Sequence, residues 1–140
     1  MTYDEIKNLL KSVRSKKSRL LAMQAYIEEE RQLIFGVSSP QYDSVLVVHS
    51  QANGTEERMA KYIDRYNDWK ARYDKLFDEM CAEEDLLCEK MQTLSPKEYE
   101  VILNRYMKGL SARKTGELMH YEEQTVKNIC REAIKKMAKN

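Results

Sequence analysis

At 140 residues the chain fits one or two small domains. Four glycines, two prolines and 34% charged residues suit a mostly helical protein and argue against a β-sandwich. A net charge of +1 carries no bulk signature of nucleic-acid binding, and no apolar run nears membrane-spanning length, Val45–Val48 being the longest aliphatic stretch.

The distribution of charge is more telling than its sum. Residues 105–140 hold nine Lys/Arg against four Glu, residues 36–91 hold seven against twelve acids, and residues 1–35 hold seven against five. A basic C-terminal module on an acidic stem is the footprint expected where only the C-terminal part meets phosphate.

The first element is expected from about Tyr3 to Leu33. Thr2 and Glu5 have capping-box spacing, with acids in the first turn. Ile6, Val13, Leu20, Ile27 and Ile34 then recur every seven residues, and Leu9, Leu10, Met23 and Leu33 widen the stripe. Lys16 interrupts this seam, inside the basic cluster Lys11, Arg14, Lys16, Lys17 and Arg19. The cluster reads either as a charge partner for the acidic second helix or as a second phosphate patch.

Residues 36–54 differ in kind, with Pro40, several Ser, Asn and Gln, and a short β-prone run at Val45–Val48. They are expected to form a connection. A second helix is expected from Thr55, with Met59, Tyr66, Tyr73, Met80, Leu87 and Leu94 at heptad spacing and Tyr62, Ile63, Trp69, Leu76, Phe77 and Met91 beside them. A helix this amphipathic needs a partner. Folding back antiparallel on the first would set Lys16 and Lys17 near Asp74 and Asp78, and Arg14 near Glu79. The surplus aromatic surface at Tyr62, Tyr66, Trp69 and Tyr73 calls for either the C-terminal module or a second copy of the chain, a homodimer through the stem.

Cys81 and Cys88 lie seven residues apart on this helix, roughly 10 Å along its axis and too far for a disulfide. With Cys130 they read as small packing residues in a reducing cytoplasm. His49 and His120 add no metal-ligand spacing, so no metal or cofactor is expected. No phosphate-binding glycine loop, nucleophile–base pair or convincing carboxylate set is present, which leaves a non-enzymatic role.

Residues 94–140 hold three short helical patterns separated by two turns. Ser95, Pro96 and Glu98 open the first as a capping box with proline at the first helical position, and Gly109 closes it. Val101, Ile102, Leu103, Tyr106 and Met107 supply its apolar face. Ser111 caps a short helix at 112–118 with Thr115, Gly116 and Met119 inward. After a turn at Met119–Tyr121 a third helix, about 122–136, buries Val126, Ile129, Ala133, Ile134 and Met137. Two helices joined by a three-residue turn, the second amphipathic and basic on its outer face, describe a helix-turn-helix. Gly116 is the small residue required at the crossing, and His120 stands where a turn residue must accept positive φ.

The runs EYEVILNRYMKGLS (Glu98–Ser111) and TVKNICREAIKKM (Thr125–Met137) resemble region 4 of bacterial sigma factors. The resemblance extends to small phage regulators of late or packaging operons, the RinA/ArpU-like group, which carry such a domain at the C-terminus. Departures are Thr115-Gly116 in place of the usual Ile-Ala, His120 for the turn glycine and Glu122 for the usual serine cap. The resemblance implies double-stranded DNA as partner, with RNA polymerase as a second. In the third helix, Gln124, Lys127, Asn128 and Arg131 face outward with chemistry suited to base edges, and Arg105, Ser111, Arg113, Lys114 and Lys136 are the candidates for phosphate.

The expected fold is therefore all-α: a long antiparallel, coiled-coil-like helical hairpin over residues 1–93, connected through 36–54, then a helix-turn-helix domain over 94–140. The expected function is a sequence-specific DNA-binding transcription regulator, an activator of phage or prophage late genes. The alternatives are a polymerase-binding or anti-sigma-like adaptor and a small DNA-packaging (terminase) subunit.

Overall fold

A computed structural model describes residues 1–36 and 52–139. They form α1 (Tyr3–Phe35), α2 (Ala52–Met91), α3 (Pro96–Ile102) prolonged by a π-helical turn (Leu103–Met107), α4 (Ala112–Met119) and α5 (Glu123–Ala138). No strand occurs among the described residues. The β-prone run Val45–Val48 and His49 lie outside them. Ala52–Gly54, expected in the connection, are helical, so α2 begins three residues before Thr55. A lone glycine is tolerated in a helix at modest cost, so Gly54 did not mark its start. Among the described residues no helix is long and apolar enough to cross a membrane.

The chain divides into two compact units, one of residues 1–17 and 78–140, the other of residues 18–77. Each contains an antiparallel pairing of α1 with α2. In the second unit Gln24 Nε2 donates to the Tyr73 hydroxyl at 2.7 Å and Trp69 Nε1 donates to the Met23 carbonyl at 2.8 Å. Arg65 clasps Glu30 with two nitrogens and reaches the Tyr26 hydroxyl. Tyr62, Tyr66, Trp69, Tyr73 and Phe77 follow one another along α2 with ring centroids 5.0–6.2 Å apart. Leu20, Ile27 and Leu76 are this unit's buried apolar residues among those described. Met59, Ile63, Tyr66 and Phe77, expected in the apolar stripe, keep 36–52% of their surface exposed. One partner helix covers only one side of so broad a stripe.

The first unit is where the core concentrates. Ile6, Leu10 and Val13 of α1, Met80, Leu87 and Met91 of α2, and Val101, Ile102, Val126, Ala133, Ile134 and Met137 are all buried. In this unit the heptad positions Ile6, Val13, Met80 and Leu87 face inward, whereas Leu33 of the expected α1 stripe, in the other unit, is 83% exposed. The heptad spacing did not give the stagger. Lys16 pairs with Glu83 and, at 3.9 Å, with Glu79; Lys17 pairs with Glu84 at 3.3 Å. Ser12 Oγ donates to the same Glu83 carboxylate at 3.2 Å. The expected partners Asp78 and Asp74 precede Glu83 on α2 by about one and a half and two and a half turns. A seven-residue repeat fixes which side of a helix faces its neighbour and leaves the axial slide to packing at the ends. The half-buried Lys16–Glu83 pair, an interruption in the sequence pattern, becomes a matched polar layer that penalises other staggers.

Arg14 departs furthest from expectation. It does not meet Glu79. Its guanidinium lies instead against Gly109, so closely that a Cβ at position 109 would stand 2.5 Å from Arg14 Nη2.

Candidate nucleic-acid interface

The interface is built on three short helices whose ends are fixed by local chemistry. At the start of α3 the Ser95 hydroxyl accepts from the Glu98 N–H at 3.3 Å, and the Ser95 N–H donates to Glu98 Oε1 at 3.0 Å. This is the capping box read from the sequence, with Pro96 in the first turn. Glu98 has a further task. It is 6% exposed, and Lys136 Nζ donates to its Oε1 at 2.7 Å, tying the start of α3 to the last turns of α5.

Burial pushes the Glu98 carboxyl up, but Lys136 and the Ser95 N–H and hydroxyl together hold it below the ordinary glutamate range. A carboxyl more acidic in the folded than in the unfolded state adds stability that is complete above its unfolded value, about 4.3, and is lost as pH falls through the folded value. Thermal melts between pH 7 and pH 3 should therefore show this unit weakening on the acid side, with a shallower fall in Glu98→Gln. An identical acid limb in that variant would mean that other carboxylates carry the dependence.

The π-helical turn follows. Lys108 N–H bonds to the Leu103 carbonyl and Leu110 N–H to that of Asn104, both at 2.9 Å, and Gly109 takes φ +72° to leave the helix. Arg105 within this turn points into the module rather than toward solvent. Its Nη1 donates to the Leu110 carbonyl at 3.2 Å, its guanidinium carbon lies 6.0 Å from the Tyr106 ring centroid, and Nε is buried without a partner. It also neighbours Cys130, whose thiol burial pushes up and Arg105 pulls down, with burial prevailing. Cys130 thus stays a neutral, packed thiol at pH 7.

Ser111 caps α4, its hydroxyl accepting from the Lys114 N–H at 3.1 Å. The crossing of α4 and α5 rests on Gly116. A Cβ there would stand 2.5 Å from the Tyr121 carbonyl oxygen and 3.5 Å from Val126 Cγ2. The Gly116 carbonyl accepts from the His120 N–H and, at 2.8 Å, from the Tyr121 N–H. His120 is left-handed at φ 61°, ψ 40°, as its position in the motif demands. Glu122 occupies the N-cap of α5 with extended backbone, but its side chain makes no capping hydrogen bond.

On α5 the four base-reading candidates are all exposed. Gln124 Nε2 donates to Asn128 Oδ1 at 3.1 Å, which aligns the two amides along the helix. Lys127 pairs with Glu123 at 3.4 Å, one turn back, and Arg131 has no ion-pair or hydrogen-bond partner among the described residues. On α4, the Lys114 ammonium has no partner among the described residues, and Arg113, 81% exposed, pairs with Glu117 at 3.6 Å. Such i,i+4 surface pairs are worth about 0.3–0.5 kcal/mol, too little to withhold Lys127 or Arg113 from a phosphate.

Two of the nine candidates are not placed as free phosphate ligands. Arg105 is turned inward to hold the Leu110 carbonyl, and the charge of Lys136 is matched by buried Glu98. Ile129, expected to be buried, is half-exposed and lines a shallow groove with Ser95, Lys97, Glu98, Asn128, Glu132 and Lys136. What the sequence left unread was the tie between Glu98 and Lys136. The signal was available in principle: a capping-box glutamate that is also buried needs a cation from elsewhere.

No curated protein and no solved structure matches the chain. Residues 91–139 match the family model described as Sigma-70, region 4, and with the geometry above they form a sigma region 4-like helix-turn-helix.

Proposed function

We propose that this chain is a sequence-specific transcription regulator that reads duplex DNA through α5, and that it activates late genes of a phage or prophage. The observation that carries the reading is the α4–α5 crossing at Gly116, with an exposed, partly uncompensated polar face on α5, in the segment that matches sigma region 4. A helix of this kind enters the major groove, where an amide side chain makes a bidentate contact to adenine and an arginine to guanine. Gln124 and Asn128, already linked, would read neighbouring base edges, with Arg131 a turn further along. Ser111, Arg113 and Lys114 would grip the phosphates that set the register. No catalytic step is assigned to the chain.

Arg131→Ala tests the reading at the level of one residue. A duplex selected from a random pool by the wild-type protein should lose about 1–3 kcal/mol of binding in this variant, with relaxed preference at one position. Unchanged affinity and preference would remove Arg131 from the base-reading set.

A second reading has a specific observation in its favour. Glu122 and Glu123 sit at the entering end of α5, and Glu123 pairs with Lys127. An acidic tip suits a polymerase-binding adaptor better than a groove reader. Failure to select any duplex, together with retention of RNA polymerase, would favour it. An assembly mass matching a ring of many subunits would instead favour a DNA-packaging subunit.

A further inference from the structure

The basic cluster of α1 is split in two by the fold. Lys16 and Lys17 are neutralised by Glu79, Glu83 and Glu84 of α2. Lys11 and Arg14, three residues apart and so on one helix face, are exposed and have no carboxylate partner among the described residues. Arg14 lies against Gly109, in the loop that leads from the π-helical turn into α4. Lys108 precedes that glycine, exposed and equally unpaired. Ser111, the α4 cap, follows it by two residues, a span of at most about 7 Å of extended chain. Beneath the loop, Arg105 holds the Leu110 carbonyl and likewise has no carboxylate partner among the described residues. Arg14 thus lies beside the loop that carries Lys108 and leads into α4 with Lys114, and these residues, with Lys11, all belong to one compact unit.

We infer that Lys11 and Arg14 of α1, with Lys108, bind the phosphodiester backbone of duplex DNA beside the segment gripped by α4, so that the N-terminal helix is part of the DNA-binding surface. Duplex DNA presents one negative charge per about 1.7 Å of its axis, so cations of α1 held beside the loop that leads into α4 would meet phosphates next to those gripped by α4. Gly109 is what lets Arg14 close on this loop. Any side chain there would lift the Arg14 guanidinium away from the loop. This contact carries no base information; it lengthens the footprint and adds affinity, and it rests on the reading of α5 as a DNA-reading helix.

The test measures duplex affinity as a function of salt for the full chain, for Lys11→Ala/Arg14→Gln, for Arg131→Ala, and for Lys70→Ala, whose ammonium pairs with Asp74 on its own helix. Each lost phosphate contact should lower the magnitude of the log–log salt slope by about 0.9, so the double variant should fall by nearly two with its base preference intact. Lys70→Ala should match wild type. A shared thermal melt keeps loss of folding apart from loss of contact, and Lys11→Ala alone, at an exposed unpaired residue, should still lower the slope by about one. Unchanged slopes in both α1 variants, while Arg131→Ala loses preference, would overturn the α1 contact and leave the α5 reading standing. A wild-type protein that binds no duplex would overturn both.

Discussion

Val126→Asp should unfold the helix-turn-helix. Val126 is 0% exposed beneath the α4–α5 crossing, with its Cγ2 next to the space above Gly116. Among the described residues, the ion pairs made by α3, α4 and α5 lie at the surface or at Glu98, and none involves a neighbour of Val126 in the core. An ionised carboxylate at such a position carries a penalty of about 3–5 kcal/mol. A domain of this size holds roughly 0.05–0.15 kcal/mol per residue, a few kcal/mol in all, so the penalty rivals the whole. The expected observation is a partial loss of helical signal at 25 °C and loss of duplex binding. A wild-type melt would mean that α5 presents a different face to the core.

Gly116→Val should be nearly as severe, for a steric reason. The first added carbon meets the Tyr121 carbonyl oxygen at 2.5 Å, and that oxygen belongs to backbone in the turn itself. Relief requires moving the turn or separating α4 from α5. Replacing an interior glycine also gains helix propensity, up to about 1 kcal/mol, but overpacking a tight crossing costs about 3 kcal/mol, so the loss prevails. Because the crossing sets the angle of α5, duplex affinity should fall even under conditions where the variant remains folded. Full affinity with an unchanged melt would show that the two helices do not cross at this residue.

The sequence foretold those features of the site that depend on near neighbours. The Ser95–Glu98 capping box, the Gly109 exit at positive φ, the Ser111 cap, the Gly116 crossing and the left-handed His120 are each determined within about five residues, and each is present. What escaped was set at longer range. The π-helical turn inserts one residue without altering the apolar periodicity enough to be read, and it turns Arg105 inward. Lys136, a phosphate candidate by sequence, is instead engaged by buried Glu98, 38 positions away in sequence. Arg14 could be assigned a partner only once the stagger of α1 on α2 was known, and a heptad pattern does not encode stagger. The exposed Met59, Ile63 and Phe77 show the same limit from the other side: amphipathic spacing identifies an apolar stripe but not how much of it one partner covers.

A salt titration of duplex binding by the intact chain reads whether the C-terminal helices grip DNA through their exposed cations. With Arg113, Lys114 and one cation of α5 on phosphate, log affinity should fall with log salt at a slope of about −3, steeper still if Lys11 and Arg14 contribute. A slope near zero, or no duplex binding at low salt, would show that these cations do not hold duplex DNA.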